Sequence, residues 1–388
     1  MILPTADRLQ AVSEYYFSSK LRELALLKAQ GNDIINLGIG SPDLPPPAVV
    51  VEELARWAKK TTSHGYQSYT GLPGFREAIS YWIKEVYRVE FDPGSEILPL
   101  MGSKEGIMHV SMAFLNPKDK VLVPDPGYPT YAAVSGLVQA EVLTYYLDGS
   151  NHWTIDMDHL KSLPLHEVKL MWLNYPNMPT GVKGSAQQFR ELVQLAGQYE
   201  FLIVNDNPYS LLFRDAKQSI FQIEGSGKVC LELNSMSKSH NMAGWRLGWV
   251  TGNKDYIQSI LKVKSNMDSG MFLPIQKAAI KALSLEKQWF ASLCDRYEER
   301  RKIAFEILET LNCEFDPKQE GMFAWGKAPS GIDNVEHWVD ELIHGASVFI
   351  TPGFIFGSKG KDYIRLSLCS EEEVLQKALS RIKKYLQV

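Results

Sequence analysis

Four cysteines in 388 residues, at 230, 294, 313 and 369, form no CxxC pair. Neither a disulfide framework nor a cysteine zinc site follows, and a reducing compartment, the cytoplasm, is expected. Neither sign of charge dominates: 45 acidic residues face 41 basic ones, a formal net charge of -4. No global field therefore draws the chain to nucleic acid or to an anionic membrane, and neither partner is expected. No apolar run approaches the roughly 18 residues of a membrane span, and MILPTADRLQ at the start lacks the basic-then-apolar order of a secretory signal. Eight histidines fall into no HExxH or paired-ligand spacing, so no metal is expected. Internal repeats and low-complexity tracts are also missing. What is present, 45% hydrophobic and 22% charged residues, describes a globular chain long enough for two or three domains or one large α/β unit, with a small-molecule partner.

Three apolar runs end in polar, turn-forming residues: VLVPD at 121 to 125, VKLMWLN at 168 to 174 and FLIVND at 201 to 206. Their β-branched content and lack of alternation predict buried strands of a mostly parallel sheet. KVCLELNS at 228 to 235 and RLGWVTG at 246 to 252 predict two more. Helical patterns such as SAQQFRELVQLAGQYE lie between them, which is the βαβ rhythm of a doubly wound α/β domain with its sheet in roughly 95 to 255. The ends read as helices: 12 to 30, closed by Gly31, 286 to 312, and a last one begun by a capping box of Ser370 and Glu373, with Val374, Leu375, Ala378, Leu379 and Ile382 on one face. PPP at 45 to 47 is a short rigid connector. The expected division is a large domain over 48–284 and a smaller α+β domain from both chain ends, 1–47 and 285–388.

In open α/β sheets ligands gather beyond the carboxyl ends of the strands. Asp125, Asn174, Asp206, and Ser235 with Ser237 and Lys238 close four of the predicted strands. A buried lysine, an aspartate and several hydroxyl donors in one place must pair with one another or with a cofactor, because unpaired buried charge is costly. GSKEG at 102 to 106 opens a helix whose free N–H groups favour an anion, with Ser103 and Lys104 at that end. LGIGSPD at 37 to 43 imitates a dinucleotide fingerprint, but Asp43 stands where a third glycine belongs, which excludes that reading.

SMSKSHNMAGWRLG at 235 to 248, NLGIGSPDLPPP at 36 to 47 and YIRLSLC at 363 to 369 together resemble the class I/II aminotransferases of fold type I, enzymes that use pyridoxal 5'-phosphate. The resemblance implies that Lys238 forms the imine with the cofactor. It implies that Arg246, Ser235 and Ser237 hold the phosphate, alongside Ser103 and Lys104. Asp206 in NDNPY would pair with the pyridine nitrogen, Tyr209 would bond the ring 3'-oxygen, and Tyr128 in DPGYPTY would stack on the ring. Arg365, which alternates to the opposite face of its strand from Ile364 and Leu366, would clamp the substrate α-carboxylate, with Gly40 closing over it. Tyr66 in HGYQSYTG would reach the partner's cofactor phosphate, which implies a homodimer with shared active sites. One position departs from the family: Met178 stands directly before Pro-Thr-Gly, where asparagine is common. Asn174 or Asn177 then compensates, or Tyr209 holds the 3'-oxygen alone.

The expected function is a ping-pong aminotransferase acting on an L-amino acid and a 2-oxo acid. The alternatives on the same fold are a lyase or 1-aminocyclopropane-carboxylate synthase type of enzyme, and a non-catalytic pyridoxal-phosphate binder. A dicarboxylic substrate calls for a second cation, for which Lys264, ahead of SNMDSGMF, is the candidate.

Overall fold

Thirteen strands are present in the computed structural model, which describes residues 3–12, 16–214 and 217–387. They are β1 (Ile35–Asn36), β2 (Ile97–Leu100), β3 (Lys120–Asp125), β4 (Glu141–Asp148), β5 (Thr154–Ile155), β6 (Val168–Leu173), β7 (Leu202–Asp206), β8 (Cys230–Ser235), β9 (Gly248–Gly252), β10 (Phe323–Lys327), β11 (Val348–Phe349), β12 (Thr351–Pro352) and β13 (Tyr363–Ser367). Eight of them form one sheet in the order β2-β9-β8-β7-β6-β3-β4-β5. β7 and β8 are buried at every position, because helices cover both faces of the sheet and each side chain meets apolar surface whichever way it points.

The central run from β8 to β4 is parallel, whereas β9 is antiparallel to both of its neighbours. A parallel return needs a crossover of a dozen or more residues, usually a helix that spans the sheet. The link from β8 to β9 holds only the one-turn helix Met236–Ser239 and the 3-10 turn Ala243–Trp245. The chain therefore turns back at the carboxyl end of β8, where Ser235 pairs with Gly248. That reversal keeps Lys238 and Arg246 at the same end of the sheet.

The chain ends meet each other. β1 pairs in parallel with β11, and β10, β13 and β12 form a three-stranded antiparallel sheet. The helices Lys287–Thr310 and Glu372–Leu386 pack together against this part, the second burying Leu375, Ala378, Leu379 and Ile382 as one face. Its start differs from the expected capping box: Glu371 is the N-cap and no side chain caps it. With the helix begun at Glu372, Glu373 falls at its second position, one short of the place from which a box residue reaches back. The first long helix runs Tyr16–Ala29 and Gly31 follows in the left-handed region (φ 94°); residues 13–15 of the expected helix lie outside the described residues. Among those described, no helix is long and apolar enough to cross a membrane.

Asp43, the residue that broke the dinucleotide pattern, receives two hydrogen bonds of 2.8 Å from the guanidinium of Arg300. Arg300 is fully buried and also bonds Glu372 and the Leu368 carbonyl. One cation thus ties the segment after β1 to the two C-terminal helices.

Candidate active site

A cavity of about 520 Å³ opens at the carboxyl ends of the central strands, within the size range of small-molecule sites. Ser103, Lys104, Tyr128, Asn174, Asp206, Tyr209, Ser235, Ser237, Lys238, Arg246, Gly40 and Arg365 all line it. They come from the carboxyl ends of β2, β3, β6, β7 and β8, the β8–β9 turn, the middle of β13 and the segment after β1, so no local stretch of sequence contains the site.

One end of the cavity is built for an anion. The helix Ser103–Phe114 points its N-terminus there, and its unsatisfied N–H groups carry partial positive charge. The Arg246 guanidinium lies beside it. Its Nη1 donates to the Ala243 carbonyl at 2.8 Å and lies 3.4 Å from the Ser237 hydroxyl. Gly102 is required by this approach: its φ is +88°, and a Cβ there would sit 2.3 Å from Arg246 Nη2. Ser235 caps the one-turn helix by accepting from the Ser237 N–H at 3.1 Å.

Farther in, Asp206 ends β7 and is buried. The Tyr131 hydroxyl donates to its Oδ2 at 2.9 Å, while Oδ1 is buried with no partner. Burial raises the carboxyl pKa to about 6 against the lowering effect of the Tyr131 and Ser103 hydroxyls. An aspartate held in this state asks for a cation or an N–H at Oδ1. The Lys238 ammonium has the opposite problem. Burial, seconded by the nearby Arg365 and Arg246, lowers its pKa from the ordinary lysine value, with Cys369 opposing; its Nζ donates to the Gly40 carbonyl at 2.5 Å. Tyr209 is kept firmly protonated by burial first and then by the Asp206 carboxylate.

Arg365 is buried on β13. Its Nη2 donates to the Gly38 carbonyl at 2.7 Å, Nη1 meets the Met178 sulfur at 3.3 Å, and the guanidinium lies 4.1 Å from the Phe323 ring centre and 4.7 Å from that of Phe356. The carbonyls of Gly38 and Gly40 thus accept from the side-chain nitrogens of Arg365 and Lys238.

Several expected residues lie elsewhere. Asn177 does not line the cavity; its Oδ1 accepts from the Thr180 hydroxyl at 2.7 Å and its Nδ2 donates to the Asn174 carbonyl, which commits it to the turn before Pro179. Asn174 lines the cavity but is also engaged, donating to the Asp206 carbonyl and accepting from the Met178 N–H. Asp125 clamps the loop at 358 to 359 instead of facing the cavity, accepting from the Ser358 and Lys359 N–H groups. Tyr66 is 93% exposed and contributes nothing to the cavity of its own chain. Lys264 is overturned as a second substrate cation: it is 1% exposed, with its Nζ on Asp268 at 2.8 Å and on the Tyr69 carbonyl at 3.0 Å.

Beside Lys264, Glu105, His109 and Asp268 bring one ligand atom each within 4.8 Å of one another. The sequence spacing of histidines gave no hint of this group, because its third member comes from a distant segment. The Lys264 ammonium already supplies a cation to Asp268.

Tyr131 escaped the sequence reading. It stacks on Trp172 at 5.2 Å and orients Asp206; its signal was the second tyrosine of DPGYPTY, one turn beyond Tyr128. Phe17, Leu21, Ile39, Phe323 and Phe356 also line the cavity, and the only clue was the four-residue spacing of Phe17 and Leu21 on one helix face.

The cavity fits pyridoxal phosphate. An orphaned buried carboxylate oxygen suits a protonated ring nitrogen, the arginine and helix N-terminus suit a phosphate dianion, and a lysine amine of lowered pKa lines the same cavity.

The profile of the family described as aminotransferase class I and II matches residues 32–382. The chain belongs to this family, whose members depend on pyridoxal phosphate and move amino groups between amino and oxo acids. It is 38% identical over 380 residues to the LL-diaminopimelate aminotransferase of Aquifex aeolicus, covering 97% of this chain and 98% of that one. The enzyme of that name from Maridesulfovibrio salexigens is 38% identical over 382 residues, 98% of each. Among solved structures, substrate-bound BacF from Bacillus subtilis superposes with a TM-score of 0.94 at 32% identity, covering 99% of this chain and 98% of that one. Aspartate aminotransferase from Thermotoga maritima does so with a TM-score of 0.91 at 27% identity, covering 99% and 100%.

Proposed function

We propose that this cavity is the transamination site and that Lys238 is the lysine that carries the coenzyme. The carrying observation is the orphaned Oδ1 of Asp206 in the same cavity as an amine of lowered pKa. When bound, pyridoxal phosphate supplies an aldehyde carbon that takes the amino group and a ring that accepts the electron pair left when the substrate loses its α-proton.

The protein's part follows from its own groups. Arg246, Ser235, Ser237, Ser103, Lys104 and the helix N-terminus bind the phosphate. Asp206 keeps the ring nitrogen protonated, an ion pair worth on the order of 4 kcal/mol at 4 Å and an effective dielectric near 20. Tyr131 orients that carboxylate, Tyr209 donates to the ring oxygen, and Tyr128 offers an aromatic face. Asn174 braces the end of β7. Arg365 would bind the α-carboxylate and so direct the Cα hydrogen toward Lys238, whose Nζ, freed from the coenzyme by the incoming amino group, would be the base that takes that proton. The Gly40 carbonyl gives up Lys238 when the coenzyme binds, and the Gly38 carbonyl gives up Arg365 when substrate enters.

The homodimer belongs to this proposal, with Tyr66, exposed in the single chain, as the residue each protomer lends to the other's phosphate site. So do a cytoplasmic setting and the division into 48–284 and the two chain ends, the latter supported by the β1–β11 pairing. The names of the relatives place LL-diaminopimelate among the donors to be tried.

Lys238→Ala tests the assignment. The variant is expected to keep the far-ultraviolet circular dichroism of the parent and to lose at least about 1,000-fold in transamination rate, the upper range for a single proton-transferring group. A variant that retains the parent's rate contradicts it. Release of 2-oxo acid beyond one equivalent with no amino acceptor would instead identify a lyase.

A further inference from the structure

We propose that the side-chain subsite of this cavity takes large uncharged side chains, aromatic or thioether, and that the donors are amino acids of that class and not those with a second charged end. The inference rests on the reading of Lys238 and Arg365 given above and adds the substrate class.

The cations lining the cavity fall into two groups. Lys104, beside Tyr128, and Arg246 belong to the anion end with the helix N-terminus. Lys238 and Arg365 lie deeper and have assigned tasks. Asp206 is the only carboxylate among the described lining residues, and its orphan oxygen is matched to the ring. Among the described residues of this chain that line the cavity, a distal carboxylate on the substrate meets no further cation, and a distal ammonium no further acid. Lys264, which the sequence offered for this purpose, is buried in an ion pair with Asp268 outside the cavity.

The walls around the α-carboxylate clamp are apolar. Phe17, Leu21, Ile39, Met178, Phe323 and Phe356 line the cavity; the rings of Phe323, Phe356 and Phe17 lie 4.1, 4.7 and 5.8 Å from the Arg365 guanidinium. Met178 is decisive. Its side chain meets Arg365 through a thioether, a weak acceptor that fills irregular space and contacts aromatic rings favourably. An amide there would offer two donors and a strong acceptor. A substrate whose carboxylate sits on Arg365 therefore has its side chain against rings and sulfur, where an uncharged surface is favoured and an unpaired charge is strongly disfavoured.

The test uses single-turnover half-reactions of the holoenzyme, followed by the coenzyme absorbance change, so that no acceptor confuses the result. Phenylalanine, methionine and leucine are compared with aspartate, glutamate and LL-diaminopimelate. The expected outcome is a rate constant per unit donor concentration at least about 100-fold higher for the best uncharged donor, the scale on which apolar pockets discriminate. A second readout needs no turnover: quenching of tryptophan fluorescence in the coenzyme-free protein by 3-phenylpropionate against glutarate, with tighter binding of the former. Ile39→Arg, at a position 39% exposed and so tolerant of charge, is expected to shift the glutarate to 3-phenylpropionate affinity ratio at least about tenfold toward glutarate. Equal or faster reaction with aspartate, glutamate or LL-diaminopimelate overturns the inference and leaves the reading of the site standing. Failure of every amino acid to change the absorbance overturns that reading and the inference with it.

Discussion

Asp206 makes the fold less stable in exchange for its chemistry. In an unfolded chain an aspartate loses its proton near pH 3.9; in this fold burial raises that pKa to about 6. Between these values the folded state holds more proton than the unfolded one, so stability falls as pH rises from about 4 to about 6 and stays lowered above. Two pKa units correspond to roughly 3 kcal/mol. Coenzyme-free Asp206→Asn is therefore expected to match the parent near pH 4 and to exceed it by up to about 3 kcal/mol at pH 7.5 in urea unfolding, while binding coenzyme more weakly. Glu232, raised to about 7 by the same cause, adds to the slope in both proteins, so the difference between them isolates Asp206. A variant no more stable than the parent at pH 7.5 contradicts the assignment. At this scale the sequence was informative where a polar residue closed the apolar runs at 174, 206 and 235, but not at Asp125, which the loop at 358 to 359 engages. For Tyr131 it offered only the second tyrosine of DPGYPTY, because the place of this helix residue depends on stacking against Trp172 of β6, and it left Asn174 and Asn177 equal, of which only Asn174 lines the cavity.

The helix Ser103–Phe114 and the β8–β9 turn make the anion end together. Gly102 lets the two approach, and its replacement by alanine both strains a backbone at φ +88° and pushes Arg246 aside. Gly102→Ala is expected to raise the coenzyme dissociation constant about ten- to hundredfold, the value of a charge-assisted hydrogen bond of roughly 1.5–3 kcal/mol, as read by fluorescence titration; an unchanged constant would dissociate Arg246 from the phosphate. The strands β3, β6, β7, β8 and β9 were legible as apolar runs because burial on both faces erases alternation. Their mostly parallel course was legible from the intervening helices, but the reversal at β9 was not, since side-chain pattern is the same for a strand run either way. The antiparallel β9 follows from a connection that holds no helix long enough to span the sheet. The misplaced capping box has a similar origin: a one-residue shift in helix start preserves the apolar face of 375 to 382 and removes Glu373 from the reciprocal position.

Across the molecule, the two ends of the chain close over the cavity, and Arg300 holds them there. It is fully buried, with Asp43 from the segment after β1 on one side and Glu372 on the other. Removing one partner of a buried pair leaves the other uncompensated, at a cost of about 3–5 kcal/mol. Because Asp43 and Glu372 retain some solvent, Arg300→Met is expected to lose about 3 kcal/mol, read as a lower urea midpoint with an unchanged slope, and to raise KM by loosening the carbonyls of Gly38 and Gly40. A midpoint like the parent's would remove Arg300 from this role. The apolar walls came from residues 17, 21, 39, 178, 323 and 356, too far apart in sequence for any motif to contain them. By contrast the lysine segment was compact enough to be read directly.

That lysine is also where the account is most exposed. Borohydride reduction of the holoenzyme, followed by peptide mass mapping, is predicted to leave a single pyridoxyl group on the peptide containing Lys238, with the sites in the coenzyme-free protein unlabelled. A pyridoxyl group on another lysine, or none at all, would contradict it.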